Sequence, residues 1–145
     1  MSASLVGSEM CIRDSLLADE QENMIDRYLD KGKMYVLDDN GIKCECIVTD
    51  EGSDVLEIKN IATVPDYQGK GYAKSLIDFI VEKYREQYAI LQVGTGDSPL
   101  TIPFYEKCGF VRSHIIPNFF TDNYDHPIYE DGVQLVDMVY LQRPL

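Results

Sequence analysis

A glycine-rich turn between an apolar run and an amphipathic pattern is the segment of this chain best suited to chemistry. It extends from Ile61 to Lys74, with a strand-like apolar stretch before the turn and apolar residues at helical spacing after it. Gly69 and Gly71 have no Cβ, so the backbone there can approach a ligand closely. The first amides of a helix lack helical partners and lie at the positive end of its dipole. The segment therefore predicts a binding site for a phosphate-bearing ligand.

Two familiar phosphate-binding loops do not fit this turn. The dinucleotide-binding fingerprint requires glycine where Lys74 stands, and no ribose-binding acid follows at the expected strand end. The P-loop pattern of glycine, four residues and Gly-Lys-Ser/Thr is absent from the sequence. The pattern that remains is Gln68-x-x-Gly71-x-Ala73, and its alternative interpretation is a simple turn that caps a helix.

The remaining pattern resembles the acyl-CoA pyrophosphate loop of the GCN5-related N-acetyltransferases, the GNAT superfamily. About thirty residues later, Phe104–Phe110 resembles the second hallmark of that family, a tyrosine four residues before Gly-Phe. Each motif alone is weak, but their order and spacing make the pair specific, and the resemblance covers residues 18–141. Four further segments resemble a bacterial branch, the YvbK-like acetyltransferases: Gly94–Ser98, Phe119–Thr121, Pro127–Glu130 and Asp137–Met138.

The resemblance implies an N-acetyltransferase that moves an acetyl group from acetyl-CoA to a primary amine by direct transfer in a ternary complex. Acetyl-CoA is then a co-substrate, no metal is required, and a catalytically weak acyl-CoA-binding sensor or regulatory module is the alternative. A purely structural or partner-binding domain would leave the loop empty. By resemblance, the cofactor-binding residues are Ile61, Ala62, Thr63, Gln68, Gly69, Lys70, Gly71, Tyr72, Ala73, Lys74 and Asp97.

Within that set, different groups are expected to make the contacts. The backbone of Ile61–Thr63 pairs with pantetheine like an extra strand, the amides of Gly69–Lys74 cradle the diphosphate, and Lys70 and Lys74 add positive charge at the rim. Asp97 stands where many relatives have an asparagine that touches pantetheine. As a carboxylate, Asp97 has an alternative role as the N-cap of the following helix.

Tyr105 is the predicted catalytic residue. Acetyl transfer expels a thiolate whose conjugate acid has a pKa near ~8.5, and a tyrosine with a pKa near ~10 can supply the proton. The alternative is a core aromatic beside Phe104. An amine acceptor must also lose a proton, but Gln92 occupies the position where some relatives have a glutamate. Glu57 is the nearest strand carboxylate, and its alternation with Lys59 favours a solvated surface position, so the base is left unassigned.

The elements that position these residues follow from apolar periodicity and turn signals. Leu56 and Ile58 alternate with polar residues, but the next apolar residue is Ile61, so the alternation shifts by one position. This shift indicates a β-bulge, and a fully buried strand end without a bulge is the alternative. The fold class expected is α/β, a GNAT-like mixed, mainly antiparallel central sheet flanked by helices. The predicted helices are 19–32, 71–84 and 100–107, and the predicted strands are 33–38, 42–49, 55–64, 90–93, 110–116 and 134–140.

Composition limits the partners. The 145 residues are 45% hydrophobic and 26% charged, as in an ordinary soluble domain, and no apolar run approaches the ~20 residues of a membrane span. The formal charge of −12 argues against nucleic acid and membrane partners, and it favours cationic substrates or serves solubility alone. The four cysteines lack metal-ligand spacing, and His126 lies in an acidic loop that suits solvent better than a metal. Reduced thiols and a cytoplasmic location are expected.

The acceptor and the ends of the domain are defined less sharply. The loop Pro117–Gly132 is rich in Phe, Tyr and Asp and could surround a cationic amine, either a small molecule or a protein N-terminus. Residues 5–15 resemble a translated sequencing-adapter scar rather than a signal peptide. We therefore expect a non-native segment at 1–15 and a single acyl-CoA N-acyltransferase domain at 16–145, whose native first strand is missing. Relatives often dimerise, so a homodimer is one expected assembly.

Overall fold

The computed structural model describes residues 2–6, 32–130 and 132–145. The chain divides into two compact units, residues 1–89 together with Leu145, and residues 90–144. The helix predicted over residues 19–32 lies outside the described residues except for Gly32, which begins a strand. Among the described helices, none has the length and apolar character that crossing a membrane would require.

The first unit contains four antiparallel strands. These are β1 (Ser2–Val6), β2 (Gly32–Asp38), β3 (Ile42–Gly52) and β4 (Val55–Thr63), in the order β1-β2-β3-β4. The turn Asp39-Asn40-Gly41 joins β2 to β3, with Asn40 and Gly41 at positive φ and the Gly41 amide donating to Asp38 Oδ1 at 2.9 Å. Strands β2 and β3, and then β3 and β4, therefore form two successive antiparallel hairpins.

The edge of β2 differs from the sequence-based expectation. We expected a sheet without its first strand, but β1 pairs with β2 along its whole length, from Ser2 opposite Asp38 to Val6 opposite Met34. Exposed strand edges carry unpaired backbone donors and acceptors, and residues 2–6 satisfy those of β2. The non-native origin expected for residues 1–15 stays a prediction.

A β-bulge interrupts β4, as the slip in its apolar phase predicts. Asn60 lies opposite Ile47 and Ile58 lies opposite Val48, which leaves Lys59 as the extra residue. Beyond the bulge the pairing resumes and continues to Thr63 opposite Cys44. The bulge thus changes which backbone groups face outward in the last residues before the glycine turn.

Helix α1 (Tyr72–Tyr84) packs on β2, β3 and β4 through one apolar stripe. Leu76, Ile77 and Ile80 are fully buried, each a contribution of about 1.5–3 kcal/mol to stability. At the far end, the buried hydroxyls of Tyr84 and Tyr35 share a hydrogen bond of 2.5 Å. Burial, followed by that bond, raises the pKa of Tyr84, so the Tyr84 phenol stays protonated at neutral pH. This packing fixes the axis of α1 and hence the direction of its N-terminus.

The second unit contains a three-stranded antiparallel sheet, a small hairpin and two short helices. Its sheet has the order β5-β9-β6, and β7 pairs with β8. The elements are β5 (Ile90–Gly96), α2 (Ile102–Lys107), β6 (Val111–Ile116), α3 (Phe119–Asn123), β7 (Tyr129–Glu130), β8 (Val133–Gln134) and β9 (Met138–Pro144).

Several element bounds of this unit differ from the prediction. Strand β5 continues through its two glycines to Gly96, and α2 begins at Ile102 rather than at Leu100. The last strand extends over Met138–Pro144 instead of 134–140, because Gln134 pairs with Tyr129 in the small hairpin and Asp137 accepts a hydrogen bond from the Asn118 amide at 2.9 Å. Helix α3 and the β7–β8 hairpin occupy the segment that the sequence indicated only as a loop.

Candidate active site

The glycine turn leads directly from β4 into α1. After a 3-10 turn at Pro65–Tyr67, the chain passes through Gly69 at φ 79° and Gly71 at φ 86°, and Gly71 is the N-cap of α1. Both glycines adopt left-handed conformations that residues with a Cβ rarely tolerate. Among the described residues, no atom lies within 4 Å of the place where a Cβ would stand on either glycine. Both positions are therefore open to a ligand.

The amides at the start of α1 are available to such a ligand. The Ser75 amide donates to the Gly71 carbonyl at 3.0 Å, which makes it the first helical hydrogen bond. The amides of residues 72–74 precede that bond and have no acceptor within the helix. Within the described part of the chain, no side chain caps this end of α1. The turn thus combines free donors, a positive helix end and open space.

Side chains of the predicted set surround the turn unevenly. Gln68 is exposed, and its amide nitrogen donates to the Thr63 carbonyl at 3.3 Å. Lys70 is exposed and lies 5.5 Å from the centre of the Tyr67 ring. Lys74 is half-exposed and paired with Asp78 at 3.0 Å, so part of its charge is already compensated. Lys70 is therefore the freer of the two rim cations.

The strand end before the turn is extended and half-buried. Ile61, Ala62 and Thr63 lie opposite Cys46, Glu45 and Cys44 of β3, respectively. The Thr63 hydroxyl donates to the Cys44 sulfur at 3.5 Å. These three residues form the end of β4 that follows the bulge.

Tyr105 belongs to the second unit, where it lies in α2 and is 6% exposed. The Phe110 amide donates to the Tyr105 carbonyl, and the Gly109 amide donates to the Glu106 carbonyl, both at 3.1 Å. With Gly109 at φ 94°, this is a Schellman cap, and the Tyr105 and Phe110 rings make the contact expected of it at 5.7 Å and 75°. The Tyr-x-x-x-Gly-Phe motif therefore ends α2 and fixes the backbone of Tyr105.

Two carboxylates have different surroundings from those expected. Asp97 is exposed and lies 3.9 Å from Arg112, and the turn before α2 is closed instead by the Leu100 amide donating to the Ser98 hydroxyl at 3.1 Å. The capping interpretation of Asp97 is therefore wrong. Glu57 is buried at 4% exposure rather than solvated, and its carboxylate pairs with Lys59 at 2.7 Å. The bulge at Lys59 explains the error, since simple alternation no longer predicts the exposure of this strand.

The remaining candidates contribute little to a site. Gln92 is half-buried on β5. The His114 ring stacks on Tyr140 at 4.7 Å, and His126 contacts Asp125 at 2.7 Å. No cluster of three His, Cys, Asp or Glu residues suited to a metal occurs in the described ranges.

Comparison with known proteins shows the family of this chain. Residues 30–112 match the acetyltransferase (GNAT) domain family. Over 133 residues the chain is 34% identical to the uncharacterised N-acetyltransferase YvbK of Bacillus subtilis strain 168, covering 90% of this chain and 86% of YvbK. The chain belongs to the GNAT acetyltransferase family. The resemblance to the YvbK-like branch is confirmed by the same comparison.

Two solved structures extend the GNAT assignment to the whole chain. An IAA acetyltransferase from Bacillus cereus ATCC 14579 has a TM-score of 0.93, with 31% identity and 99% of each chain covered. A GNAT family acetyltransferase from Elizabethkingia anophelis with acetyl-CoA bound has a TM-score of 0.92 and 33% identity, covering 99% of this chain and 97% of that one. The predicted fold class is confirmed, and the protein is an acetyl-CoA-dependent acetyltransferase with acetyl-CoA as co-substrate.

Replacing Gly109 by alanine is expected to destabilise the GNAT domain by about 1–2 kcal/mol. A residue with a Cβ is strained at φ 94°, and the new Cβ would also lie 3.2 Å from Arg143 Nη1. Urea denaturation monitored by circular dichroism measures the loss. Gly132→Ala is the matched control, because Gly132 has φ 76° and no described atom within 4 Å of the added carbon. An equal loss in both variants would contradict a specific role for the Arg143 contact.

The buried thiols of this GNAT protein are expected to resist modification. Burial raises the pKa of Cys44 to about 11, and burial also raises the pKa of Cys46 well above its usual value. Both stay protonated and enclosed at pH 8, so iodoacetamide should label neither in the folded protein and both in urea. Mass spectrometry of the digested protein measures the fraction of each cysteine that is labelled. Rapid labelling of Cys44 in the native state would contradict the described packing of β3.

Proposed function

We propose that this GNAT acetyltransferase transfers the acetyl group of acetyl-CoA directly to a primary amine within a ternary complex. The amine nitrogen attacks the thioester carbonyl, the new C–N bond forms, and the C–S bond breaks without an acyl-enzyme. The observation that carries the proposal is the turn at Gly69 and Gly71, with its left-handed backbone, open surroundings and unbonded helix amides. These features suit a diphosphate, which presents several anionic oxygens to backbone donors.

In this proposal, the turn and the strand before it hold the cofactor. The amides of Gly69–Lys74 donate to the diphosphate, and Gln68 and Lys70 contact it from the exposed rim. The backbone of Ile61–Thr63 pairs with the pantetheine arm, supported on its other side by β3. An amide near Ile61 or Ala62 donates to the developing oxyanion, a contribution of about 3 kcal/mol to lowering the barrier. Asp97, exposed beside Arg112, contacts pantetheine.

Tyr105 supplies the proton that the leaving thiolate takes up. The Schellman cap supports this role, because it holds the Tyr105 backbone and ring in a fixed position. A proton donor must be held in this way to act on a leaving group. The burial of the ring fits both the catalytic and the packing interpretation, and they differ only in whether the hydroxyl matters. The proton released by the attacking amine goes to a base that we leave unassigned.

The acceptor is an amine, either on a small molecule or at a protein N-terminus. Aromatic rings and carboxylates between residues 117 and 132 support a cationic substrate, with Phe120 stacked on Tyr124 at 5.7 Å. A homodimer and a cytoplasmic location stay predictions.

An amine panel tests the proposal. The full chain is incubated with acetyl-CoA and polyamines, aminoglycosides, amino acids and N-terminal peptides, and released CoA is measured with a thiol reagent. Turnover that depends on one amine class and yields the N-acetylated product by mass spectrometry is expected. Tight acetyl-CoA binding without turnover on any amine would instead favour the sensor alternative. An acetylated protein intermediate that forms without acceptor would contradict direct transfer.

A further inference from the structure

Two aromatic residues flank the phosphate turn, and both contact the β2–β3 hairpin. Tyr67 immediately precedes Gln68, and Tyr72 immediately follows Gly71. The Tyr72 hydroxyl donates to Asp39 Oδ2 at 2.8 Å, across 33 positions of the chain. The Lys43 ammonium lies 4.0 Å from the centre of the Tyr67 ring. Each end of the four-residue segment 68–71 is therefore held by a side chain from the same hairpin.

These contacts form one connected set, which we call the hairpin anchor: Asp39, Lys43, Tyr67 and Tyr72. The Tyr67 and Tyr72 rings meet edge to face at 6.2 Å and 74°. Lys43 is only 9% exposed, and its ammonium also donates to the Asn40 carbonyl at 3.3 Å, next to Asp39. The backbone adds a further link, since the Val64 amide donates to the Lys43 carbonyl at 2.9 Å. The contacts therefore form a closed chain, in which Asp39 binds Tyr72, Tyr72 contacts Tyr67, and Tyr67 contacts Lys43 of the same hairpin.

We infer that the hairpin anchor consists of positioning residues that hold the Gln68–Gly71 segment in its phosphate-binding conformation before acetyl-CoA arrives. Glycine has more backbone freedom to lose on ordering than any other residue, and this segment contains two glycines. Fixing both ends of the segment in the free protein removes part of that cost from binding. The inference rests on the proposed function, because it assumes that this turn binds the cofactor.

The chemistry of the Tyr72–Asp39 pair fits a permanent anchor rather than a switch. The hydrogen bond to Asp39 raises the pKa of Tyr72, so the phenol remains a donor at neutral and moderately alkaline pH. Tyr72 is the first residue of α1, and its amide is one of the proposed phosphate donors. Replacing its hydroxyl leaves that amide in place, so the anchor and the cradle can be tested separately.

The test compares wild type with Tyr72→Phe, Asp39→Ala and the double variant. Calorimetric titration should show the dissociation constant of acetyl-CoA raised about fivefold in each single variant. This is less than the roughly tenfold or more expected for a whole hydrogen bond to a charged group, because the lost bond acts on binding only through the order of the segment. The double variant should bind no more weakly than the weaker single variant, because both changes remove the same bond. With a reactive amine, KM for acetyl-CoA should rise by the same factor and kcat should stay unchanged. Lys43→Met should raise the dissociation constant about threefold through the Tyr67 end.

Tyr88→Phe is the matched control. The Tyr88 hydroxyl donates to Asp50 Oδ2 at 3.0 Å, a bond of the same type between the segment that follows α1 and strand β3. This variant should lose similar thermal stability and bind acetyl-CoA as wild type does. An unchanged dissociation constant in Tyr72→Phe, or an equal increase in Tyr88→Phe, overturns the inference alone. A wild-type protein that binds no acetyl-CoA overturns the proposed function, and this inference with it.

Discussion

Replacing Tyr105 by phenylalanine is expected to lower kcat about 100-fold while the dissociation constant of acetyl-CoA stays unchanged. A thiolate leaves far more easily when a positioned acid protonates it, and phenylalanine keeps the ring but removes the proton. The ring also packs against Phe104 at 5.2 Å and Phe110 at 5.7 Å, and both contacts survive the change. Initial rates at saturating amine, together with calorimetric titration of acetyl-CoA, separate the chemical step from binding.

The control for this variant is Tyr140→Phe. Tyr140 lies on β9 in the same unit, its ring stacks on His114, and it is not among the predicted site residues. The kcat of Tyr140→Phe should therefore match that of wild type. Urea denaturation should show that Tyr105→Phe unfolds with nearly the wild-type free energy. Wild-type kcat in a folded Tyr105→Phe protein would leave Tyr105 with only its packing role.

Replacing Gly71 by valine is expected to weaken acetyl-CoA binding about 100-fold. The branched side chain would fill the space above the first amides of α1, where no described atom lies within 4 Å of the Cβ position. It would also be strained at φ 86° and pull the following amides out of line. Losing two charge-assisted hydrogen bonds accounts for an effect of this size. Calorimetry with acetyl-CoA measures it.

Gly52→Val separates this effect from backbone strain. Gly52 has φ 83° and equally open surroundings, but it is the last residue of β3, directly before the β3–β4 turn. Both variants should lose about 1–2 kcal/mol of unfolding free energy, and only Gly71→Val should lose affinity. Affinity that falls equally in both would attribute the loss to general destabilisation.

Local signals account for the parts of the fold and site that the sequence predicted. The glycine turn and α1 follow from residues 61–84 alone, since glycines at positive φ and a 3.6-residue apolar stripe are encoded within a few residues of each other. The Tyr105–Gly109–Phe110 motif is likewise local, because a Schellman cap needs only the last turn of a helix. The bulge in β4 also left a local trace, the shift of apolar phase before Ile61.

Contacts between distant residues explain what the sequence could not predict. The Tyr72–Asp39 bond joins residues 33 positions apart, and neither side chain has a local pattern that identifies the other. Asp137 delays the start of β9 because it binds the Asn118 amide, 19 positions earlier. Glu57 was misjudged because Lys59 is the bulged residue, and a buried ion pair between them replaced the expected exposed alternation. These features depend on register and tertiary packing rather than on residue type.

The most direct measurement is a titration of acetyl-CoA into the isotopically labelled chain, followed by the backbone amide resonances. If the glycine turn holds the diphosphate, the largest shifts will be those of Gly69–Lys74, with smaller shifts at Ile61–Thr63 and none at Gly52. Saturable binding that leaves the resonances of residues 69–74 unmoved would contradict the account.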